Sequence, residues 1–375
     1  MTEFALSQQN GVVLAHHWLV GMRGGEKVLE ELCRIFPNAP IYTLVVRRDK
    51  LSRLLRERRI FPSPLQWFPG ATRHYKKMLP LIAPAIALMK VPRRTKLVIS
   101  SDASLIKGLS VPRQAVHICY CHSPPRYIWD MSEVYMQQTA GLGGFGKWTF
   151  RKAIEPLRRF DRAAAARVTR FIANSTFVQE RISQFYKRKA EVIFPPVNVD
   201  GFNPTRPRDD FYLLVSELVP YKRVDLAVRA FADVNRRLII IGDGSERAAL
   251  EKLATPNVQF LGHKSFAVLK EHYETCRAFL CPQVEDFGIT VVEAQAAGAP
   301  VIAFNQGGVL DSVRPNETGL FFNQQTPMDL ANVVRDFEER LDEWNAKLCR
   351  QNAERFRPER FRRALCDLLV TEGFL

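Results

Sequence analysis

The most constraining feature of this chain is a strict alternation of short apolar runs and helix-patterned segments between residues 211 and 304. FYLLVSEL (211–218) is followed by KRVDLAVRAFADV (222–234), then RLIIIGDG (237–244) by SERAALEKLA (245–254). VQFLG (258–262), a helical stretch over 265–276, AFLCP (278–282), a helix over 289–297 and PVIAF (300–304) continue the rhythm. The strand runs are apolar throughout, as expected of strands buried on both faces. Helices between them force parallel crossovers, so the segment predicts a doubly wound parallel sheet. The first half repeats the theme less clearly. VVLAHHW (12–18) reads as a strand, Gly24-Gly25 as a turn and Glu26 to about Phe36 as a helix, with further strands at 41–46, 97–100, 115–120 and 170–174. FPPVNVDGFNPTRPRDD (194–210), with four prolines and no periodicity, reads as a linker. A chain of 375 residues suits two α/β domains, 1–195 and 196–355, with a final helical segment at 356–375.

Charge is distributed unevenly. Residues 1–200 hold 32 Lys and Arg against 14 Asp and Glu, whereas residues 201–375 hold 22 against 25. A one-sided positive field favours an anionic partner: nucleic acid, a phosphate-rich substrate or an acidic membrane surface. The aromatic residues are not laid out as a base-stacking surface, so no nucleic-acid partner is expected. Seven scattered cysteines argue for a reducing compartment and against a disulfide framework. No apolar run reaches the ~20 residues of a spanning helix, and no secretory leader is evident, so a cytoplasmic location is expected.

The densest chemical signal is Glu285-Asp286-Phe287-Gly288-Ile289-Thr290-Val291-Val292-Glu293. Two carboxylates eight residues apart flank a glycine and a predicted helix start, whose unpaired N–H groups form an anion site. On spacing alone Glu285 reads equally as a helix cap and Glu293 as a solvated carboxylate. Arg23-Gly24-Gly25-Glu26 likewise opens a helix after a strand, where glycine lets backbone approach a phosphate. CYCHSPPRYIWD (119–130) brings His122 to the end of a strand. Cys119 and Cys121 have no second pair at zinc spacing, and no Asp-x-Asp element is present, so no metal is expected. His16, His17 and Asp102 also end or follow strands and are lesser candidates.

Five ordered blocks, LLVSELVPYKRVDLAV, IIGDGSERAAL, VQFLGH, EDFGITVVEAQAAGAPVIAFNQGG and ETGLFF, resemble the retaining glycosyltransferases of family four over about 195–360. That resemblance implies the GT-B architecture, two Rossmann-like domains facing a central cleft, with the last helix packing back on the N-terminal domain. It implies that Lys222 meets the donor diphosphate, a task suited to a compact ammonium. It also implies that Glu285 lies beside the donor sugar, Glu293 takes ribose hydroxyls, and the backbone of Phe287, Gly288, Ile289 and Thr290 holds sugar hydroxyls and phosphate. Gly242 would lie in the donor domain's glycine turn, His263 and Lys264 near the base, Gly24 and Gly25 on the donor phosphate, and His122 near the donor sugar. The family usually has arginine where this chain has Glu217, and Arg223 is the candidate to supply that charge.

The stretch 47–96 carries much of the positive charge: RRDKLSRLLRERR, then PLQWFPG, RHYKK, LPLIAPAIALM and KVPRR. Eleven apolar residues with two prolines cannot span a bilayer. Flanked by Lys76, Lys77, Lys90, Arg93 and Arg94, with Trp67, Phe68 and Tyr75 nearby, they are expected to dock at an anionic membrane surface. The competing expectation is a helical hairpin in the core with a solvated basic face. Lys187-Arg188-Lys189 is expected to be a turn. The resemblance, narrowed by SELVPYKRVDLAV and RGGEKVLEEL, implies a metal-independent hexosyltransferase peripheral to the inner face of the cytoplasmic membrane. It would move mannose from GDP-mannose to a lipid-linked glycan acceptor in bacterial O-antigen or exopolysaccharide assembly. A nucleotide-sugar epimerase or hydrolase of the same architecture, or a basic nucleic-acid-binding protein, is the alternative.

Overall fold

The computed structural model describes residues 11–75, 78–138 and 143–374. Two compact units emerge, one formed by residues 1–196 and 361–375, the other by residues 197–360.

In the first unit seven parallel strands form one sheet in the order β3-β2-β1-β4-β5-β6-β7. They are β1 (Val12–His16), β2 (Ile41–Thr43), β3 (Ile60–Pro62), β4 (Leu97–Asp102), β5 (Val116–Cys121), β6 (Arg170–Ala173) and β7 (Ala190–Val192). Alternate residues of β1 feed different cores: Val13 and Ala15 on one face, Val12 and Leu14 on the other. Burial of both faces is why the strand reads as an uninterrupted apolar run. The final helix, Pro358–Thr371, starts two residues after the expected 356 and presents Phe361, Leu365, Leu368 and Leu369 to the second of these cores. Their i, i+4, i+7, i+8 spacing makes one stripe, each side chain worth ~1.5–3 kcal/mol on burial. Tyr120 Oη donates to the Ile193 carbonyl at 2.8 Å, and its ring meets Phe361 edge-on.

A buried ionic lock fixes the middle of this unit. Lys107 Nζ lies 3.2 Å from Asp102 and 2.5 Å from Asp161, all three almost wholly inaccessible. Asp102 also accepts the amides of Ser104, Ile106 and Lys107, and Asp161 accepts Trp129 Nε1 and Tyr186 Oη. Asp102, a lesser site candidate in the sequence, is therefore occupied in holding the loop that follows β4. The Lys187-Arg188-Lys189 turn forms as expected: Lys187 adopts φ +56° and Arg188 donates to four carbonyls between Ala165 and Thr169.

In the second unit six parallel strands follow the order β10-β9-β8-β11-β12-β13. They are β8 (Phe211–Val215), β9 (Arg237–Ile241), β10 (Val258–Gly262), β11 (Ala278–Cys281), β12 (Val301–Phe304) and β13 (Gly319–Phe322). The helix Val224–Asp233 buries Val224, Ala227, Val228 and Phe231 against one face. The sheet end demands glycine: a Cβ on Gly242, at φ +146°, would lie 1.8 Å from the Ser216 carbonyl oxygen. Gly242 and Gly244 thus pack β9 against the chain leaving β8, which accounts for both without a ligand.

Segment 47–96 is not a helical hairpin. It holds short helical turns, β3 and one helix, Leu79–Ala87, whose Leu79, Ile82, Ala85 and Ile86 lie in the core. Its outer face, Pro80, Leu81, Pro84, Ala87 and Leu88, is exposed and wholly apolar. Lys76 and Lys77 lie outside the described residues. Among the described residues no helix is long and apolar enough to cross a membrane, and all seven cysteines are free thiols.

Candidate functional site

In an open parallel sheet ligands bind beyond the carboxyl ends of the strands where the strand order reverses. In the second unit the reversal falls between β8 and β11. The segment leaving β8 carries Lys222 and the segment leaving β11 carries Glu285, and the fold brings them together with Lys222 Nζ 2.6 Å from Glu285 Oε1. Each side chain is about one-fifth exposed, so the pair is shielded without being sealed. Gln283 Nε2 donates to the same carboxylate oxygen at 2.7 Å. The Gln283 amide oxygen is buried without a hydrogen-bond partner, an acceptor left open beside the pair.

Gly288 opens the helix Ile289–Ala296 in the left-handed region at φ +89°, a conformation that favours glycine. Among the described residues the amides of Gly288, Ile289 and Thr290 meet no acceptor, leaving a row of donors next to the ion pair. Behind this turn, Gly308 N–H donates to the Glu285 carbonyl at 2.8 Å. A Cβ on Gly308 would lie 2.2 Å from the Asp286 carbonyl oxygen. The glycine pair in NQGG thus sets the course of the chain at Glu285, a supporting role its motif did not disclose. Glu293, one helical segment on, is buried rather than solvated, and Tyr273 Oη donates to it at 3.3 Å. Burial and then the Glu293 charge hold the Tyr273 phenol well above its ordinary range. Tyr273 was not foreseen, because its partner lies twenty residues away with no shared periodicity.

Arg223 takes φ +51° and is turned towards Asp225 (3.2 Å) and Gln325 (3.5 Å). Its charge is already shared with an acid, so it would reach a phosphate only by leaving that pair. Glu217 is partly buried and its carbonyl caps the turn before Lys222 through Val219 N–H. His263 and Lys264 are exposed at the end of β10.

The first unit has its own reversal point, between β1 and β4, and there the sequence candidates converge again. His16 ends β1 in register with Ser101 on β4, and His122 follows β5 directly. Ser101 Oγ bridges the two rings, 3.0 Å from His16 Nδ1 and 2.8 Å from His122 Nε2. His17 Nδ1 faces the Ser101 carbonyl at 3.3 Å. Gly24 begins the helix Gly24–Ile35, and Glu26 accepts the Arg23 amide at 2.9 Å as its cap. A Cβ on Gly25 would lie 3.2 Å from the His16 ring, 3.4 Å from His122 and 3.6 Å from His17, so glycine lets this helix start sit on the imidazoles. Burial and then the neighbouring histidines push His122 down to about 3; burial and His16 do the same to His17. Burial alone would raise Glu26, but the neighbouring His16 and then His17 take it down to about 2. Glu26 is thus ionised beside the neutral rings of His17 and His122. Among the described residues no group of three or more His, Cys, Asp or Glu is arranged to hold a metal ion.

Two Rossmann-like sheets, each gathering polar side chains at its reversal point, define the class as the GT-B fold. Residues 199–356 match the model of the family described as Glycosyl transferases group 1. An uncharacterized glycosyltransferase of Methanocaldococcus jannaschii is 29% identical over 182 residues, covering 47% of this chain and 52% of that protein. The GDP-mannose-dependent alpha-(1-6)-phosphatidylinositol monomannoside mannosyltransferase of Mycobacterium tuberculosis is 34% identical over 140 residues, covering 32% of this chain and 36% of its own. The chain therefore spans about a third to a half of the length of these relatives. Anabaena HepE, solved with UDP and glucose, matches the fold with a TM-score of 0.72 at 16% identity, over 96% of this chain and 100% of that one. Together these likenesses show a GT-B fold whose residues 199–356 resemble the glycosyl transferases of group 1.

Proposed function

We propose that this chain is a retaining hexosyltransferase that moves mannose from GDP-mannose to a lipid-linked glycan in bacterial cell-surface polysaccharide synthesis. The observation that carries the reading is the Lys222–Glu285 contact beside the unpaired amides of Gly288, Ile289 and Thr290. An ammonium beside a row of free N–H donors suits a diphosphate that gains charge as it departs. Preorganised donors of this kind lower the barrier more than any other single effect in many reactions that build charge on a leaving group. In the proposed reaction the bond from the anomeric carbon to the diphosphate oxygen breaks, and the acceptor hydroxyl attacks from the face just vacated. The departing diphosphate takes the acceptor proton. Lys222 and the amides stabilise the leaving group, Glu285 lies beside the sugar ring, and Glu293 receives ribose hydroxyls. No metal is needed in this scheme, because protein charge meets the phosphate. The mycobacterial relative named for GDP-mannose supports the donor assignment.

Peripheral membrane attachment is part of the reading. The apolar outer face of the helix Leu79–Ala87, with Trp67 four-fifths exposed and Phe68 half exposed, lies within a segment rich in exposed cations, Arg73, Lys90, Arg93 and Arg94 among them. That combination suits shallow insertion under acidic headgroups. The test is GDP-mannose turnover in EDTA with and without bacterial lipid extract, followed by NMR of the product's anomeric centre. Lipid-dependent release of GDP with retained configuration is expected. Equal turnover without any acceptor would instead indicate a hydrolase or epimerase.

A further inference from the structure

Glu285 receives both of its side-chain hydrogen bonds on one oxygen. Lys222 Nζ lies 2.6 Å and Gln283 Nε2 2.7 Å from Oε1, and among the described residues Oε2 meets no partner. Oε2 is not one of the fully covered polar atoms, so the exposed fifth of the side chain includes it. Gln283 is placed differently. It is only 3% exposed, so a ligand in the site does not touch it. Charge fixes the orientation of its amide, because the amide turned round would set an oxygen against the carboxylate. Held this way, the amide leaves its own oxygen buried with no hydrogen-bond partner. A buried acceptor left unmade costs more than one net hydrogen bond contributes. For stability alone, an apolar side chain of the same length would serve better at this position. The main chain on either side is anchored: the Pro282 carbonyl accepts Gln325 Nε2 at 2.9 Å, and the Glu285 carbonyl accepts Gly308 N–H at 2.8 Å. Gln283 thus reaches the carboxylate from a fixed base, two residues beyond the end of β11.

We propose that Gln283 is a positioning residue that pins the Glu285 carboxylate by Oε1, so that the carboxylate keeps its orientation when Lys222 is drawn to a diphosphate. The proposal rests on the sugar-transfer reading for the reaction that Glu285 serves; the contact itself does not. The two donors on Oε1 differ in what a ligand does to them. The Lys222 ammonium is a point charge on a flexible four-carbon stem, and a diphosphate competes with Glu285 for it. The Gln283 amide is neutral and covered, so the same ligand does not pull it away. With the ammonium engaged elsewhere, Gln283 Nε2 is the remaining side-chain donor that stops the carboxylate from swinging.

The test is Gln283→Met in the full-length protein, which keeps the side-chain length and removes the donor and the orphan acceptor together. In GDP-mannose turnover kcat is expected to fall about tenfold with KM within about twofold, the size of one lost net hydrogen bond, while the variant melts no earlier than wild type. A melt several degrees early, which would mark a merely structural residue, or kcat within twofold of wild type, overturns the proposal. A residue that acts through Glu285 has nothing to hold once that carboxylate is gone. Adding Gln283→Met to Glu285→Ala is therefore expected to change kcat by less than twofold, and a further tenfold loss would overturn the proposal. The contact is checked without any sugar donor by NMR of glutamine-labelled protein, with Gln283 assigned through Gln283→Met. One Nε2 proton is expected downfield in wild type, with saturating GDP and in Lys222→Ala, and to return towards its ordinary position in Glu285→Ala. A Gln283 amide that ignores Glu285→Ala, or that loses its downfield proton when GDP binds, overturns the proposal. Wild-type protein that shows this contact and never turns over GDP-mannose would count against the transfer reading and leave the contact standing.

Discussion

Replacing Lys222 with alanine separates the chemical role of the ammonium from its structural one. Its Nζ lies 2.6 Å from Glu285, and about four-fifths of each side chain is covered. Breaking a fully buried pair costs ~3–5 kcal/mol, whereas an exposed pair contributes ~0–1 kcal/mol. At this exposure, and with Gln283 still donating to Glu285, the expected loss is about 1–2 kcal/mol, a fall in Tm of roughly 2–8 °C for a unit of this size. The catalytic loss is on a different scale. An ammonium aimed at a departing diphosphate is worth about a hundred- to a thousandfold in kcat, or ~2.7–4 kcal/mol of barrier. GDP release from GDP-mannose, followed beside a thermal melt and a circular dichroism spectrum, measures both in one preparation. A variant that melts a few degrees early, keeps its spectrum and loses two orders of magnitude in turnover agrees with the reasoning. Turnover within threefold of wild type would refute it.

Glu285→Gln keeps the shape and can still meet Lys222 and Gln283, but removes the charge; turnover should fall about a hundredfold while calorimetric GDP affinity stays within about threefold. A pure affinity change would make Glu285 a binding residue only. Acidification should destabilise the first unit from its histidines. His17 and His122 are held to about 3 and His117 to about 4, so the unfolded chain takes up protons below the ordinary value near 6.5 that the folded chain refuses. Each such ring removes up to ~1.4 kcal/mol per pH unit below 6.5, until its folded-state value is reached. Urea midpoints measured between pH 7 and pH 5 should fall steadily, and a flat profile would mean these rings are not buried neutral. Trp67→Ser with Leu88→Ser should weaken sedimentation with anionic vesicles at least tenfold without altering the melt, since both side chains are exposed. Added salt should release the wild-type protein, and indifference to lipid charge would remove the membrane role.

The sheets were legible because parallel strands buried on both faces leave apolar runs that helices interrupt, and β8 to β12 stand out for that reason. Edge strands were not: Ile60–Pro62 and Ala190–Val192 are three residues each, flanked by charge and proline, with too few side chains to show a period. The helix Pro327–Glu339 did carry a signal, with Thr326 as cap, Pro327 in the first turn and Leu330, Ala331, Val334 and Phe337 on one face. Lys222, Glu285 and His122 could be named because each stands shortly after a strand in a segment that resembles the family's blocks or its functional histidine. Ser101, Gln283 and Tyr273 could not. Each acts through a partner from another strand or helix, or through an ordinary residue with no motif around it. The outer face of Leu79–Ala87 was apparent only as excess hydrophobicity; which half is core and which is exposed needed the neighbouring elements.

Hydrogen exchange of the full-length protein, with saturating GDP in EDTA-containing buffer, tests the central claim most directly. If a diphosphate is gripped by Lys222 and the start of the helix Ile289–Ala296, exchange of the Gly288, Ile289 and Thr290 amides slows on addition of GDP with no divalent ion present. Unchanged exchange at those three amides, or protection that returns only with magnesium, would contradict it.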